Sequence, residues 1–322
     1  MVHIILYAIV PILVIMLLGY YSGKTGSFTG ENARTLNKLV LNYALPAALF
    51  LSIIKANREM LSVDVKLTII AFTVLIACFF LVYYVFRLVY KDTVAESAVS
   101  ALISGSPTIG FLGFAVLQPI FGTSASVGLV IAIVAIEVNA IGIPLGLAMI
   151  NAGNAATADG GKKPNPWMPV LNALKEPVAW APILAVILVL CGVKWPDYLD
   201  PSFSLISGAN ASVAVFAAGI TLSSVKISIN GQAIMGSFLK LIVMPLALLV
   251  VGIIFKMDPF NLKMLVLCGA LPPAFSGIII ASRYNIYVAT GTSSLALSTI
   301  LFMGFCPIWL WLTDLALKMF PY

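Results

Sequence analysis

Two apolar stretches of the chain are interrupted by residues that could bind a small charged molecule. These residues are small, hydroxylated or proline, and they are Ser104, Ser106, Pro107, Thr108, Gly110, Pro272, Pro273 and Ser276. Proline removes a backbone donor and clashes with the preceding helical turn, so each stretch should break into two half-helices. Half-helices that begin at the breaks aim free N–H groups and positive dipole ends at the space between them. The pattern therefore predicts a site for an anion.

The amino-acid composition indicates which class of protein contains these breaks. The 322 residues are 61% hydrophobic and only 9% charged, whereas a soluble domain carries roughly 25% charged residues. A soluble enzyme, a coiled coil and a disordered chain are excluded, and an all-α integral membrane protein is predicted. The single histidine and four scattered cysteines form no metal, disulfide or nucleophile–base pattern, so neither a metal site nor an enzyme is expected.

Ten apolar runs are long enough to span a bilayer. They lie near residues 2–21, 37–56, 65–89, 95–118, 124–150, 173–193, 203–224, 232–255, 262–283 and 287–316. The polar segment 151–168 reads as a linker between a first five-helix half, residues 1–150, and a second half, residues 169–322.

The two halves resemble each other at the interrupted spans. The matching residues, separated by 164 positions, are Gly105, Phe111 and Gly113 in span 4 and Gly269, Phe275 and Gly277 in span 9. Because each half has an odd number of spans, the second half enters the membrane from the opposite side. Interrupted spans at equivalent positions of inverted repeats indicate a transporter site near the bilayer midplane. The alternative is two kinked helices packed through small residues.

These motifs resemble those of the auxin efflux carrier family, whose members include plant auxin exporters and bacterial malate or malonate permeases. The segment ALPPAFSGIIIASRYNIY (270–287) is similar to the family's ninth span, and Gly105, Pro107 and Gly110 are in register with its fourth. Thr108 departs from the pattern, since the family has a substrate-binding asparagine there. The resemblance implies crossed, broken helices 4 and 9 on a fold like that of sodium/proton antiporters and bile-acid symporters. It also implies alternating access and a homodimer.

Two charged residues lie inside predicted spans, where an ionised side chain costs about 2.5–3.5 kcal/mol or more unless it is paired or hydrated. Glu137 is a candidate proton-coupling carboxylate, and Lys240 is a candidate anion-attracting or coupling group. The alternative is a structural ion pair between them. Arg283 ends span 9, where it either snorkels to the interface or gates anions at the cytoplasmic face.

Span 2 offers two more candidates, Asn42 and Pro46, which would face the substrate site or serve ordinary helix packing. Orientation follows from lysine and arginine, with ten on the side of the central linker and seven on the other. This bias predicts a cytoplasmic linker and both termini outside the inner membrane.

The sequence thus predicts a secondary active transporter of a small organic anion, most simply a short dicarboxylate such as malonate or malate. A cation exchanger for Na⁺ or H⁺ on the same fold is the alternative. The expected partners are the carboxylate substrate, the lipid bilayer and a second copy of the chain, and no nucleic acid is expected. No cofactor is expected beyond H⁺ or Na⁺ as a coupling ion.

Overall fold

The computed structural model describes residues 10–55, 65–157, 177–224 and 229–320. Within these ranges the regular structure is helical, apart from one isolated backbone bridge. The helices are α1 Val10–Lys24, α2 Gly30–Leu39, α3 Leu45–Ile54, α4 Val65–Val89, α5 Val94–Ser104, α6 Ile109–Phe121, α7 Ala125–Ile136, α8 Ile143–Thr157, α9 Pro177–Cys191, α10 Asp200–Ser223, α11 Gly231–Phe238, α12 Met244–Ile254, α13 Pro259–Ala270, α14 Phe275–Tyr284 and α15 Val288–Met319.

Several helical stretches of the described residues are long and apolar enough to cross a membrane. These five are Val65–Val89, Ala125–Asn154, Asp197–Ser223, Gly231–Ile254 and Val288–Met319. Shorter apolar helices accompany them, including Val94–Ser104 and Pro259–Ala270. The prediction of an all-helical membrane protein is confirmed at this level.

Helix bounds follow the predicted spans to within a few residues at most ends, and two ends differ by more. The third span, predicted at 65–89, coincides with α4. Helix α2 begins at Gly30, before the predicted residue 37, because Thr29 and Asn32 form a capping box there. Helix α8 continues through Thr157, so residues 151–157 are helical rather than part of a linker, and residues 158–168 lie outside the described part of the chain.

Three of the helical stretches contain a wide π turn, in which a backbone N–H bonds to the carbonyl five residues earlier. The π turns are Val40–Ala44, Glu137–Gly142 and Leu239–Val243, and the prolines that follow them are Pro46, Pro144 and Pro245. A proline cannot donate to the carbonyl four residues before it, so that carbonyl needs another partner. For Pro245 this carbonyl belongs to Leu241, and the indole of buried Trp309 donates to it over 2.8 Å.

Two close helix crossings require glycine, because a larger residue would clash with the backbone of the facing helix. A β-carbon at Gly19 of α1 would lie 2.1 Å from the carbonyl oxygen of Phe216 in α10. A β-carbon at Gly277 of α14 would lie 2.7 Å from the carbonyl oxygen of Leu102 in α5. Absence of a side chain lets these backbones touch. The second contact brings the two interrupted stretches together.

Candidate functional site

Both interrupted stretches are broken as predicted, each by four residues. We call residues 105–108, between α5 and α6, the first break, and residues 271–274, between α13 and α14, the second break. The helix ends at Ser104 and Ala270 are 166 positions apart, and so are the helix starts at Ile109 and Phe275. The register of 164 inferred from matching glycines is therefore not the register of the backbone breaks.

The two breaks are hydrogen-bonded to each other. The N–H of Thr108 donates to the carbonyl of Pro272 over 3.0 Å, and the N–H of Ala274 donates to the carbonyl of Ser106 over 3.1 Å. Pro107 and Pro273 face each other between these bonds as an isolated antiparallel bridge. Since backbone polar groups in a membrane must be satisfied within the protein, each break supplies part of what the other lacks.

A small cavity, which we call the crossing cavity, lies where the breaks meet. Its volume is ≈ 20 Å³, space for about one water molecule. Its lining includes four predicted site residues, Pro107, Thr108, Gly110 and Ser276. In this conformation the cavity is too small for an organic substrate.

The hydroxyl of Thr108 has no hydrogen-bond partner among the described residues. The residue is only 2% exposed, and it lines the crossing cavity. A buried hydroxyl without a partner costs about 1–3 kcal/mol. Its position beside the first turn of α6, where helical N–H groups lack intrahelical acceptors, suits a ligand that accepts hydrogen bonds.

Neither Ser104 nor Ser106 is among the residues that line this cavity. A β-carbon at Gly236 would lie 2.5 Å from Ser104 Oγ, so Ser104 faces α11. Ser106 faces the π turn Glu137–Gly142, because its Oγ lies 3.7 Å from the β-carbon position of Gly142. Ser104 therefore packs between helices, away from the crossing cavity to which the sequence assigned it. Pro272 contributes its backbone carbonyl, and Pro273 completes the bridge.

Span 2 contributes residues other than the predicted ones. Asn42 is exposed and Pro46 is buried, and neither lines the crossing cavity. Leu41 and Leu45 line it instead. The side chain of Leu45 also packs against the backbone of Gly110, where a β-carbon would lie 2.8 Å from Leu45 Cδ2.

Asn139 was not among the predicted site residues, although it lies where the two breaks meet. It lines the crossing cavity, and its Nδ2 donates to the carbonyl of Ala135 over 2.8 Å. That bond fixes the amide and leaves its oxygen as an acceptor. The sequence contains one sign of this position. Pro144 follows Asn139 by five residues, and Pro245 follows Lys240 by the same spacing, so both residues lie in a π turn that precedes a proline.

Lys240 is fully buried, and its contacts are not with Glu137. Its Nζ donates to the carbonyl of Gly269 over 2.7 Å and to Met244 Sδ over 2.9 Å. Among the described residues the ion pairs are Lys55–Asp200 and Lys263–Asp314, so the alternative of a direct Glu137–Lys240 pair is not observed. Lys240 instead places a cation at the C-terminal end of α13, where the helix dipole is negative.

Glu137 lies beside the first break. Its Oε1 is 3.9 Å from the β-carbon position of Gly142, the same position that Ser106 Oγ approaches to 3.7 Å. The residue is 3% exposed. Its carboxylate is therefore near the crossing without lining the crossing cavity. The side chain of Arg283 lies outside the described residues, so its predicted role is not addressed.

The crossed breaks and the apolar helices define a membrane transport protein. A model of the family described as "Membrane transport protein" matches residues 4–310. The chain therefore belongs to this family, the auxin efflux carrier family that its motifs resemble.

Relatives cover nearly the whole chain. The chain is 55% identical to the "Uncharacterized transporter YfdV" of Escherichia coli (strain K12) over 307 residues, which is 95% of this chain and 97% of the relative. It is 25% identical to an "Uncharacterized transporter" of Methanothermobacter thermautotrophicus, covering 94% and 96% of the two chains. It is 24% identical to the "Putative malonate transporter" of Rhizobium meliloti (strain 1021), covering 91% of each. The protein is a transporter, not an enzyme.

Proposed function

We propose that the protein is a secondary active transporter of a small organic anion, and that a short dicarboxylate such as malonate or malate is its substrate. The observation that carries the proposal is the pairing of the two breaks, with the unpartnered hydroxyl of Thr108 at their junction. Two half-helices, α6 and α14, begin there. Their N-terminal N–H groups and dipoles favour a carboxylate.

The architecture we propose is ten spans in two inverted halves, crossed at Pro107 and Pro273. The equal spacing of 166 between corresponding helix ends supports it. So does the reciprocal pair of backbone bonds, since a local two-fold axis would relate them. Both termini would lie outside the inner membrane, and two copies of the chain would form a dimer.

The size of the crossing cavity supports alternating access. At ≈ 20 Å³ it holds no dicarboxylate, and in the proposed cycle α1–α3 with α9–α10 shift against the remaining helices so that a substrate can enter. The Rhizobium meliloti relative is named as a malonate transporter, so malonate is the first substrate to test.

Uptake of radiolabelled malonate and malate into proteoliposomes tests the proposal. The wild type should accumulate one of these acids. The uptake rate of Pro272→Ala should be lower by at least about tenfold, since Leu271 would no longer be held extended before a proline and the break would be weakened, although Pro273 remains. Pro182→Ala is the matched control, because Pro182 lies inside α9, belongs to neither break and does not line the crossing cavity. No uptake of either acid above empty vesicles, or full activity of Pro272→Ala, would count against the proposal.

A cation exchanger remains the second candidate because the Glu137 carboxylate lies beside the first break. An exchanger would move H⁺ against Na⁺ in proteoliposomes without any carboxylate. If Glu137 couples anion transport instead, Glu137→Gln should retain malonate binding and lose the response to a proton or sodium gradient. Cation exchange without added anion, abolished by Glu137→Gln, would favour the second candidate.

A further inference from the structure

A second and much larger cavity, which we call the vestibule, opens beside the crossing. Its volume is ≈ 600 Å³, within the range of cavities that bind small molecules. Residues of α2, α10, α14 and α15 line it, at the end of the molecule where α10 finishes and α15 begins.

The vestibule has one polar wall and one largely apolar wall. The polar wall comes from α2, α10 and the residue that follows α10, and consists of Glu31, Arg34, Asn37, Thr221 and Ser224. Helices α14 and α15 contribute Phe275, Ile278, Ile279, Val288 and Thr292. A ligand that fills this space must therefore have a polar end and an apolar end.

Arg34 is the basic residue among the described residues that line the vestibule. Its side chain is exposed, and it forms no ion pair within the described ranges. A guanidinium is always charged and presents paired N–H donors that match the geometry of a carboxylate. Asn37, one turn further along α2, adds an amide to the same wall.

Phe275 connects the vestibule with the crossing. It lines both cavities and is 5% exposed, so it forms a partition between them. A ligand in the vestibule would lie one side chain away from the first turn of α14. The vestibule is therefore on the route to the crossing cavity, and it is already open when the crossing cavity is closed.

We propose that the vestibule is a docking site for an organic carboxylate, in which Arg34 binds the carboxylate and the Ile278–Ile279 wall contacts its carbon chain. This inference rests on the proposed function and names a second site on the same route. Arg34 is the one arginine among the described residues that line the vestibule, so it would neutralise one carboxylate while the rest of the ligand meets apolar side chains. A carboxylate with an alkyl chain should dock more tightly than malonate itself.

Arg34→Gln and Lys38→Gln form a matched pair of variants for the test. Both remove one positive charge from α2 one turn apart, but Lys38 does not line the vestibule. Malonate binding is measured by thermal stabilisation in detergent, and uptake kinetics are measured in proteoliposomes. Arg34→Gln should weaken binding and raise KM about tenfold, in line with a charge-assisted hydrogen bond. Lys38→Gln should change either value less than about twofold because surface charges act weakly at this range.

Three more variants give effects that a misfolded protein would not show. Glu31→Gln should lower KM, because it removes a negative charge from the same wall. Butylmalonate should inhibit uptake at lower concentration than malonate, and Ile279→Thr should reduce that advantage by raising the inhibitory concentration of butylmalonate more than that of malonate. Arg34→Lys, which keeps the charge but loses the paired donors, should fall between Arg34→Gln and the wild type.

The outcomes separate the two proposals. Wild-type uptake together with equal KM values for Arg34→Gln and Lys38→Gln would overturn the docking site and leave the transporter proposal intact. Stabilisation by malonate that Arg34→Gln abolishes, without any uptake, would support the docking site and overturn malonate as the transported substrate. Neither uptake nor stabilisation by malonate or butylmalonate would overturn both.

Discussion

The ammonium group of Lys240 donates a hydrogen bond of 2.7 Å to the carbonyl of Gly269, in the last turn of α13 just before the second break. Carbonyls in the last turn of a helix have no intrahelical donor. Breaking a membrane helix therefore creates a need for donors, and Lys240 satisfies part of it from the π turn Leu239–Val243. We infer that Lys240 holds the first half of the broken helix in position.

Lys240→Met should reduce transport about tenfold or more. The substitution retains an unbranched side chain but leaves the Gly269 carbonyl without its charged donor, which costs about 1–3 kcal/mol at a buried carbonyl. Lys263→Met is the control, because Lys263 pairs with Asp314 at the surface, where an ion pair contributes about 0–1 kcal/mol. Initial uptake rates at equal protein incorporation measure the effect. Equal rates in the two variants would mean that Lys240 has no part in forming the break.

Thr108→Val should weaken substrate affinity without destabilising the protein. Valine has nearly the shape of threonine, and the Thr108 hydroxyl has no partner among the described residues to lose. A substrate that uses this hydroxyl would lose one hydrogen bond, so KM should rise about three- to tenfold. Melting temperature and uptake kinetics, measured on the same preparation, separate affinity from stability.

Thr299→Val gives the opposite pattern and serves as the control for Thr108. The Thr299 hydroxyl donates to the carbonyl of Leu295 over 2.8 Å in α15. Its loss should lower the melting temperature slightly, since a satisfied hydrogen bond contributes about 0.5–1.5 kcal/mol, and should leave KM unchanged. If Thr108→Val lowers stability and leaves KM unchanged, its hydroxyl is structural.

Asp92 should make thermal stability depend on pH. It lies in the loop between α4 and α5, and burial raises the pKa of its carboxyl although Tyr287 and Gln232 hydrogen-bond to it. Because the folded-state pKa is above the unfolded one, the charged form costs stability, and this cost grows as pH rises through the folded-state pKa. The advantage of Asp92→Asn over the wild type in melting temperature should therefore increase from about pH 4 to about pH 8.

A second aspartate controls for general effects of acid. Asp258→Asn replaces the residue whose side chain accepts from the N–H of Asn261 at the start of α13. Asparagine caps a helix about as well as aspartate. A change of melting temperature with pH that both variants share would be a general effect of removing a carboxyl group and would not be assigned to Asp92. A flat difference for Asp92→Asn would contradict the raised pKa.

The breaks could be predicted from the sequence because proline acts locally. Pro107 and Pro272 each lie inside an apolar run with small neighbours, and loss of the N–H interrupts a helix wherever it occurs. The span 65–89 could also be predicted from the sequence, since its long apolar run is bounded by charged residues. Both features depend on neighbours along the chain.

The sequence predicted less well which side chains point into the crossing cavity. A π turn adds one residue to a helix and rotates everything beyond it by about 100°. The turn Val40–Ala44 leaves Asn42 exposed while Leu41 and Leu45 line the crossing cavity. A regular helical wheel misses this rotation. The prolines just after each π turn are visible in the sequence, but Pro46 was interpreted as a candidate substrate contact or packing residue, and none of the three was taken as the sign of a π turn.

Contacts between residues far apart in the sequence also could not be predicted from hydrophobic periodicity. Ser104 and Ser106 are two residues apart, yet one faces Gly236 and the other faces the turn that carries Glu137. The break itself sets these directions, because its residues follow no helical period. Likewise, the bond from Lys240 to Gly269 joins residues of different spans.

The most direct measurement is the position of a bound substrate. A brominated short carboxylate that the protein transports can be located by the anomalous scattering of bromine in crystals of the complex. The bromine should lie beside the Thr108 hydroxyl, between the first turns of α6 and α14, with the crossing cavity enlarged around it. A transported carboxylate bound elsewhere, with the Pro107–Pro273 bridge intact and nothing beside it, would contradict the account.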